Sequence, residues 1–256
     1  MVVVSVNDVS KKFRLYASRR DRIKEALSPF RWKLHEDFTA LNRVNIEVRQ
    51  GEILGIVGKN GSGKTTLLKI IAGILTPSSG DVEVRGRPIV LFDVGTGFNP
   101  QYTGLENVYF YGSLLGFRKK EMEALLPEIT EFAEIGDYIG QPLRTYSSGM
   151  RARLGYAVAV HVDPDILILD EVLAVGDEDF RKKCANKMAE IFKSGKTVIY
   201  VSHSIQSLKQ LCTRGILLDR GEVLTEGPIA GVVARYRRLS SAGKSEYESV
   251  RARIKK

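Results

Sequence analysis

The sequence contains no uninterrupted apolar run near the ~20 residues that a helix needs to cross a bilayer. No segment of it therefore reads as a membrane span. Cysteine is scarce, with only Cys184 and Cys212 among 256 residues. The pair has no metal-ligand spacing, and both read as unpaired thiols of a reducing compartment. Internal repeats and low-complexity tracts are also missing. The opening Met1-Val2-Val3-Val4-Ser5-Val6 is too short and too uncharged for a secretory signal, and it is expected to form a first strand.

What is present suits a globular enzyme. The length allows one large domain or a core with a lobe, and a hydrophobic content of 43% permits a substantial interior. The formal charge of +9 fits an anionic membrane leaflet, nucleic acid, or simply a solvated basic surface. Basic residues gather at Lys11–Lys33 and Arg235–Lys256.

Gly58-Lys59-Asn60-Gly61-Ser62-Gly63-Lys64-Thr65 is a complete phosphate-binding loop. The apolar strand 54–57 precedes it. The segment Thr65-Thr66-Leu67-Leu68-Lys69-Ile70-Ile71-Ala72-Gly73 continues it as a helix closed by glycine. Three glycines let backbone N–H groups converge on one anion, and the helix N-terminus adds its dipole. Lys64 is placed to reach the β- and γ-phosphates, and the Thr65 hydroxyl to ligate Mg²⁺. A second apolar run, Ile166-Leu167-Ile168-Leu169, ends in Asp170-Glu171. It reads as a buried strand delivering one carboxylate to the metal and the next to a water. A solvated strand end is the competing reading, and the apolar run argues against it.

Strand character is found at 2–6, 44–49, 53–57, 82–85, 89–92, 166–170, 197–201, 215–219 and 222–225. Buried strands alternate with helices, so the expected fold is α/β with a mostly parallel sheet. Residues 2–6, 44–49 and 82–92 form an antiparallel flank. A helix-rich insertion over about 95–160, including a helix from Lys119 to Phe132, forms a separate lobe. The nucleotide-binding domain is expected over 1–240, with a basic tail at 241–256.

Tyr146-Ser147-Ser148-Gly149-Met150, followed by a helix over Arg151–Val160, resembles the signature motif of ABC-type ATP-binding subunits, usually Leu-Ser-Gly-Gly-Gln. Ser147 and Gly149 match; Tyr146, Ser148 and Met150 depart. The resemblance implies a P-loop NTPase core whose cofactors are ATP and Mg²⁺. It makes Asp170 the metal-associated carboxylate and Glu171 the general base. Asp177 becomes the acidic residue of the D-loop at a dimer interface, and His203 the switch histidine facing the γ-phosphate. Phe13, with Tyr16 as competitor, becomes the aromatic that stacks on adenine. The glutamine usual at the junction with the helical lobe is missing. Gln101 comes too late, and Asp93 is the nearest polar substitute.

The stretches Gly95-Thr96-Gly97-Phe98-Asn99-Pro100, Thr103-Gly104-Leu105-Glu106-Asn107 and Glu171-Val172-Leu173-Ala174-Val175-Gly176-Asp177 look like those of polysaccharide, O-antigen and teichoic-acid exporters. That resemblance implies two copies of the chain paired with two polytopic permease subunits at the cytoplasmic face of the membrane, with a lipid-linked glycan as cargo. Residues 15–38 exceed the usual short loop. Ile23, Ala26, Leu27 and Phe30 fall on one helical face, Asp21 is placed to cap the helix and Pro29 to end it. Arg19, Arg20, Arg22, Lys24, Arg31 and Lys33 make the remainder basic. An interfacial gate helix over 19–33 is expected, against the alternative of a helix packed on its own sheet. Some longer exporters append a carbohydrate-binding β-domain, for which the residues after 240 leave no room. An ATPase acting on nucleic acid or ribosomes is the competing class. It would call for tandem cassettes or a coiled-coil insertion, and neither is found. An exporter subunit for a non-glycan cargo stays open.

Overall fold

The computed structural model describes residues 1–27, 32–91, 97–170, 176–202, 204–243 and 246–255. Its centre is a six-stranded sheet built from β3 (Ile53–Val57), β5 (Pro88–Val90), β6 (Ile166–Asp170), β7 (Thr197–Val201), β8 (Arg214–Asp219) and β9 (Glu222–Pro228). The order is β5-β6-β7-β3-β8-β9, parallel except for the antiparallel β8–β9 pair. β3, β6 and β7 are nearly continuous apolar runs because helices or a second sheet cover both their faces. Leu167 and Leu169 enter the core shared with the helical lobe, while Ile166 and Ile168 enter the core facing the other sheet, following the two-residue pleat.

That second sheet is antiparallel, in the order β2-β1-β4, from β1 (Val2–Tyr16), β2 (His35–Arg49) and β4 (Ser79–Val84). Val44, Ile46 and Val48 alternate inward against α2 (Lys64–Ile71) and the central strands, and exposed residues separate them. α2 ends at Ala72 with Gly73 at φ +71°, the left-handed stop anticipated for it. The lobe consists of α3 (Gly104–Leu114), α4 (Lys119–Ala133), two short 3₁₀ turns and α5 (Ser148–His161). The remaining helices are α6 (Glu178–Lys193), α7 (Ile205–Leu211), α8 (Ile229–Ser241) and α9 (Tyr247–Lys255). No helix among the described residues is long and apolar enough to cross a membrane.

Of the antiparallel flank expected over 2–6, 44–49 and 82–92, residues 88–90 instead form β5 of the central sheet, parallel to β6, and two further expectations about layout need correction. Residues 15–38 are not a loop carrying a long helix. β1 and β2 run on as an antiparallel ribbon, pairing Phe13 with Phe38 and Tyr16 with His35, and its tip carries α1 (Arg19–Leu27). The ribbon is sustained by cross-strand backbone pairing and not by an apolar face, which is why no alternating pattern marks it. The cap of α1 is Ser18, not Asp21: Ser18 Oγ accepts from the Asp21 N–H at 3.2 Å and donates to its carboxylate at 2.7 Å. Ala26 and Leu27 are exposed on α1, which buries no residue at all; Pro29, Phe30 and Arg31 lie outside the described residues. Secondly, most of the basic tail 241–256 is the docked helix α9, attached by ion pairs to β8 and β9.

Candidate functional site

The loop 58–63 leaves β3 and enters α2 at Lys64, so the first-turn amides of α2, which have no intrahelical acceptors, open at the loop. Its glycines are demanded by space and by backbone angle. A Cβ on Gly58 would lie 2.2 Å from the Leu218 carbonyl oxygen. Gly63 adopts φ +106°, and a Cβ there would lie 2.7 Å from the Ala40 carbonyl oxygen. Asn60, Gly61, Gly63, Lys64, Thr65 and Thr66 line a cleft of about 380 Å³, whose other walls are Asp170, Ala40 and Phe38.

Lys64 Nζ folds back onto the loop, donating to the carbonyls of Gly58 at 2.8 Å and Lys59 at 3.1 Å. Burial pushes its ammonium below the ordinary lysine range, and the Asp170 charge opposes that shift. The Thr65 hydroxyl donates to Asp170 Oδ2 at 3.1 Å. The loop hydroxyl and the strand-end carboxylate, 105 residues apart, are thus brought into contact. Ser62 is buried, and its Oγ has no hydrogen-bond partner among the described residues. Convergent amides, a half-buried ammonium and an orphaned hydroxyl suit an anion with several oxygens; Thr65 and Asp170 together suit a hard divalent cation.

The signature segment sits apart from this cleft. Ser147 caps α5, its Oγ accepting from the Met150 N–H at 3.1 Å, and Gly149 lies in the first turn. Tyr146, the departure from the usual leucine, is buried, and its hydroxyl donates to the Tyr138 carbonyl at 2.5 Å. Asp177 caps α6 by accepting from the Phe180 N–H at 3.0 Å, and it pairs with Arg153 of α5. Those bonds hold its carboxyl below the usual range, the Phe180 amide contributing most. Arg153 also reaches Glu134, just past α4, at 3.4 Å. The lobe, the signature helix and the start of α6 therefore share one guanidinium.

The ring that lines the cleft is Phe38. Phe13 is its half-buried cross-strand neighbour, and the Lys11 ammonium stands 5.3 Å from the centre of the Phe13 ring. The structure does not bring Tyr16 to the cleft. Its hydroxyl donates to Glu25 at 3.1 Å and its ring packs beside His35, whose Nδ1 stands 2.7 Å from the same carboxylate. Gln101 lies in an exposed turn, its N–H on the Asn99 side chain. Glu171, His203 and Asp93 fall outside the described residues. Besides Phe38, sequence reading missed Arg153 and the fully buried Asn107, whose amide group donates to the carbonyls of Asn99, Tyr102 and Thr103 and so clamps the entrance to α3. A polar residue one turn inside a capped helix was the available signal for Asn107.

The sequence profile described as "ABC transporter" matches residues 41–174, more than half of the chain. The chain belongs to the ABC transporter family. Within that family it is 44% identical over 233 residues to the teichoic acids export ATP-binding protein TagH of Bacillus anthracis, covering 91% of this chain and 42% of that protein. It is 42% identical over 253 residues to the O-antigen export system ATP-binding protein RfbB of Myxococcus xanthus, covering 96% of this chain and 58% of that one. The chain therefore spans about half the length of these two curated relatives. Among solved structures, the dimeric post-hydrolysis ATP-binding cassette MJ0796 bound to ADP and Pi superposes with a TM-score of 0.66 at 23% identity, over 88% of this chain and 98% of that one. At that identity the likeness speaks for the fold, and the fold of an ABC cassette is the one described above.

Proposed function

We propose that this chain is the ATP-hydrolysing subunit of an ABC exporter that moves a lipid-linked glycan of the O-antigen, teichoic-acid or capsule type across the cytoplasmic membrane. The Thr65–Asp170 contact of 3.1 Å carries the catalytic half of this reading, because it joins the phosphate loop to the carboxylate strand. Names of the relatives, teichoic acids export and O-antigen export, support the cargo half.

In this reading Lys64 and the loop amides hold the ATP phosphates and Phe38 or Phe13 faces the adenine. Thr65 and Asp170 hold Mg²⁺, which supplies charge neutralisation at the phosphates. Glu171, next after Asp170, accepts a proton from the attacking water, and His203, after β7, contacts the γ-phosphate. Ser147, Gly149 and Asp177 serve the site of a second copy of the chain. Ribbon and α1 face the permease subunit and the lipid boundary: Ile23, Leu27, Trp32 and Leu34 are exposed beside Arg19, Arg20, Arg22 and Lys24.

The test is depletion in the native host, followed by chemical analysis of what accumulates on the cytoplasmic side. A lipid-linked glycan should accumulate, wild-type chain should clear it, and Glu171→Gln should not, while the purified Gln variant binds ATP with turnover nearly abolished. Accumulation of some other material rejects the glycan cargo. Wild-type turnover by the Gln variant rejects the role of Glu171.

A further inference from the structure

The phosphate loop rests on a turn, and that turn is held from outside by α9. The turn is Asp219-Arg220-Gly221, between β8 and β9. Gly221 N–H donates to the Ser62 carbonyl at 2.9 Å, and the Gly221 carbonyl accepts from Asn42 N–H at 2.8 Å. The Leu218 carbonyl just before the turn is the atom pressed against Gly58. Backbone contacts from both ends of the turn thus fix the start and the middle of the phosphate loop.

At the head of this turn stands Asp219, a carboxylate only 3% exposed. Among the described residues its side-chain partners both come from α9. The Tyr247 hydroxyl donates to Oδ1 at 2.6 Å, and Arg251 Nε donates to Oδ2 at 2.9 Å. Arg251 also reaches Glu222 at 2.8 Å, as does Lys255, and Glu222 in turn accepts from the Asn42 side chain at 2.8 Å. α9 touches the loop directly too, with the Lys59 ammonium 5.0 Å from the centre of the Tyr247 ring. α9 also lays Tyr247, Val250 and Ile254, each half-buried, against the core. A partial apolar face and polar anchors together dock α9, and its anchors converge on the buried carboxylate at the head of the turn.

We propose that α9 is a clasp on the phosphate loop: Tyr247 and Arg251 are positioning residues that preset the loop for nucleotide through Asp219 and its turn. This rests on the reading of the loop as the ATP site and adds a control point to it. When α9 lifts, Asp219 is left buried and unpaired. The turn must then open to hydrate it, and the contacts from Gly221 to Ser62 and from Leu218 to Gly58 loosen together. Only the fraction of molecules with an ordered loop binds nucleotide well, so apparent affinity falls by that fraction.

The experiment measures steady-state ATPase kinetics and ATP titration calorimetry on the full chain. Arg251→Ala should raise KM and Kd for ATP about ten-fold, with a much smaller change in kcat, because the ordered fraction falls to roughly a tenth. Adding Asp219→Asn to that variant removes the buried charge and should restore most of the affinity. Packing loss alone would not show that rescue. Tyr247→Phe, which deletes one oxygen and keeps the ring over Lys59, is the variant to use if Arg251→Ala does not fold. Its loop amides at 58–63 should exchange with deuterium faster than those of the wild type. An ATP Kd within two-fold of wild type for Arg251→Ala, or unchanged exchange in Tyr247→Phe, overturns the clasp. Lys64→Ala is the separate control: if it still binds ATP normally, the nucleotide site itself has been misassigned.

Discussion

Replacing Ile23 and Leu27 of α1 by aspartate separates a helix that serves a partner from one that serves its own core. Ile23 is 58% exposed and Leu27 is 78% exposed. Full burial of such a side chain is worth about 1.5–3 kcal/mol, so the covered fraction contributes about 1 kcal/mol at Ile23 and about 0.5 kcal/mol at Leu27. Aspartate adds about 0.5 kcal/mol per site in lost helix propensity. Even charged wholly to global unfolding, ~2–3 kcal/mol in a chain of this size lowers the melting temperature by no more than about 10 °C. α1 buries no residue, however, so it frays on its own and the loss does not reach the global transition. The expected shift is therefore about 2 °C or less, well below that bound. A core-packed helix would acquire two unpaired buried carboxylates at several kcal/mol each, and a fall well beyond about 10 °C or outright aggregation. The assay is differential scanning fluorimetry of the purified double variant beside basal ATPase and glycan export in cells. Near-normal melting and ATPase with failed export is the expected outcome. A drop in melting temperature beyond about 10 °C refutes the interfacial placement of α1.

Two further outcomes follow from other parts of the molecule. Mixing Lys64→Ala with Ser147→Arg chains should retain more ATP-dependent dimerisation than either variant alone, since one composite site stays intact in both positions; equal loss in every mixture would place the two motifs in one chain's site. Lys255, with Asn42 and Arg251, holds the Glu222 carboxyl at about 2 against an ordinary value of 4.5. The folded value is the lower one, so this stabilisation is complete above pH 4.5 and is lost as pH falls through about 2. Glu222→Gln should therefore lower the melting temperature at pH 6 and flatten the acid decline over that window, and parallel pH curves for the two proteins would count against it.

The nucleotide half of the molecule is legible in sequence because its demands are severe and local. Gly58 and Gly63 have no room for a side chain, and β3, β6 and β7 are covered on both faces, so each leaves an unambiguous run of residue types. The ribbon left no such mark. Leu15 pairs with Glu36 and Arg14 with Asp37, strand partners that share no apolar face, so neither period nor composition announced them. α9 was less conspicuous: its half-buried Tyr247, Val250 and Ile254 are set among arginines and lysines that look like any solvated tail until Asp219 and Glu222 are found beside them. Phe38 was overlooked because the aromatic was sought on β1, whereas the register of the ribbon presents its partner on β2.

The guanidinium of Arg153 has a mechanical consequence. It joins the end of α4 to the start of α6, while the α5 backbone that carries it begins at Ser147. α5 is sealed into the interior from Leu154 to Val160, with the Tyr156 ring stacked against Phe132 of α4 and edge-on to Phe180 of α6. Among the described residues these three helices pack directly on one another through those rings. A displacement of the lobe is therefore expected to carry Ser147 and Asp177 together, as two teeth cut on a single key.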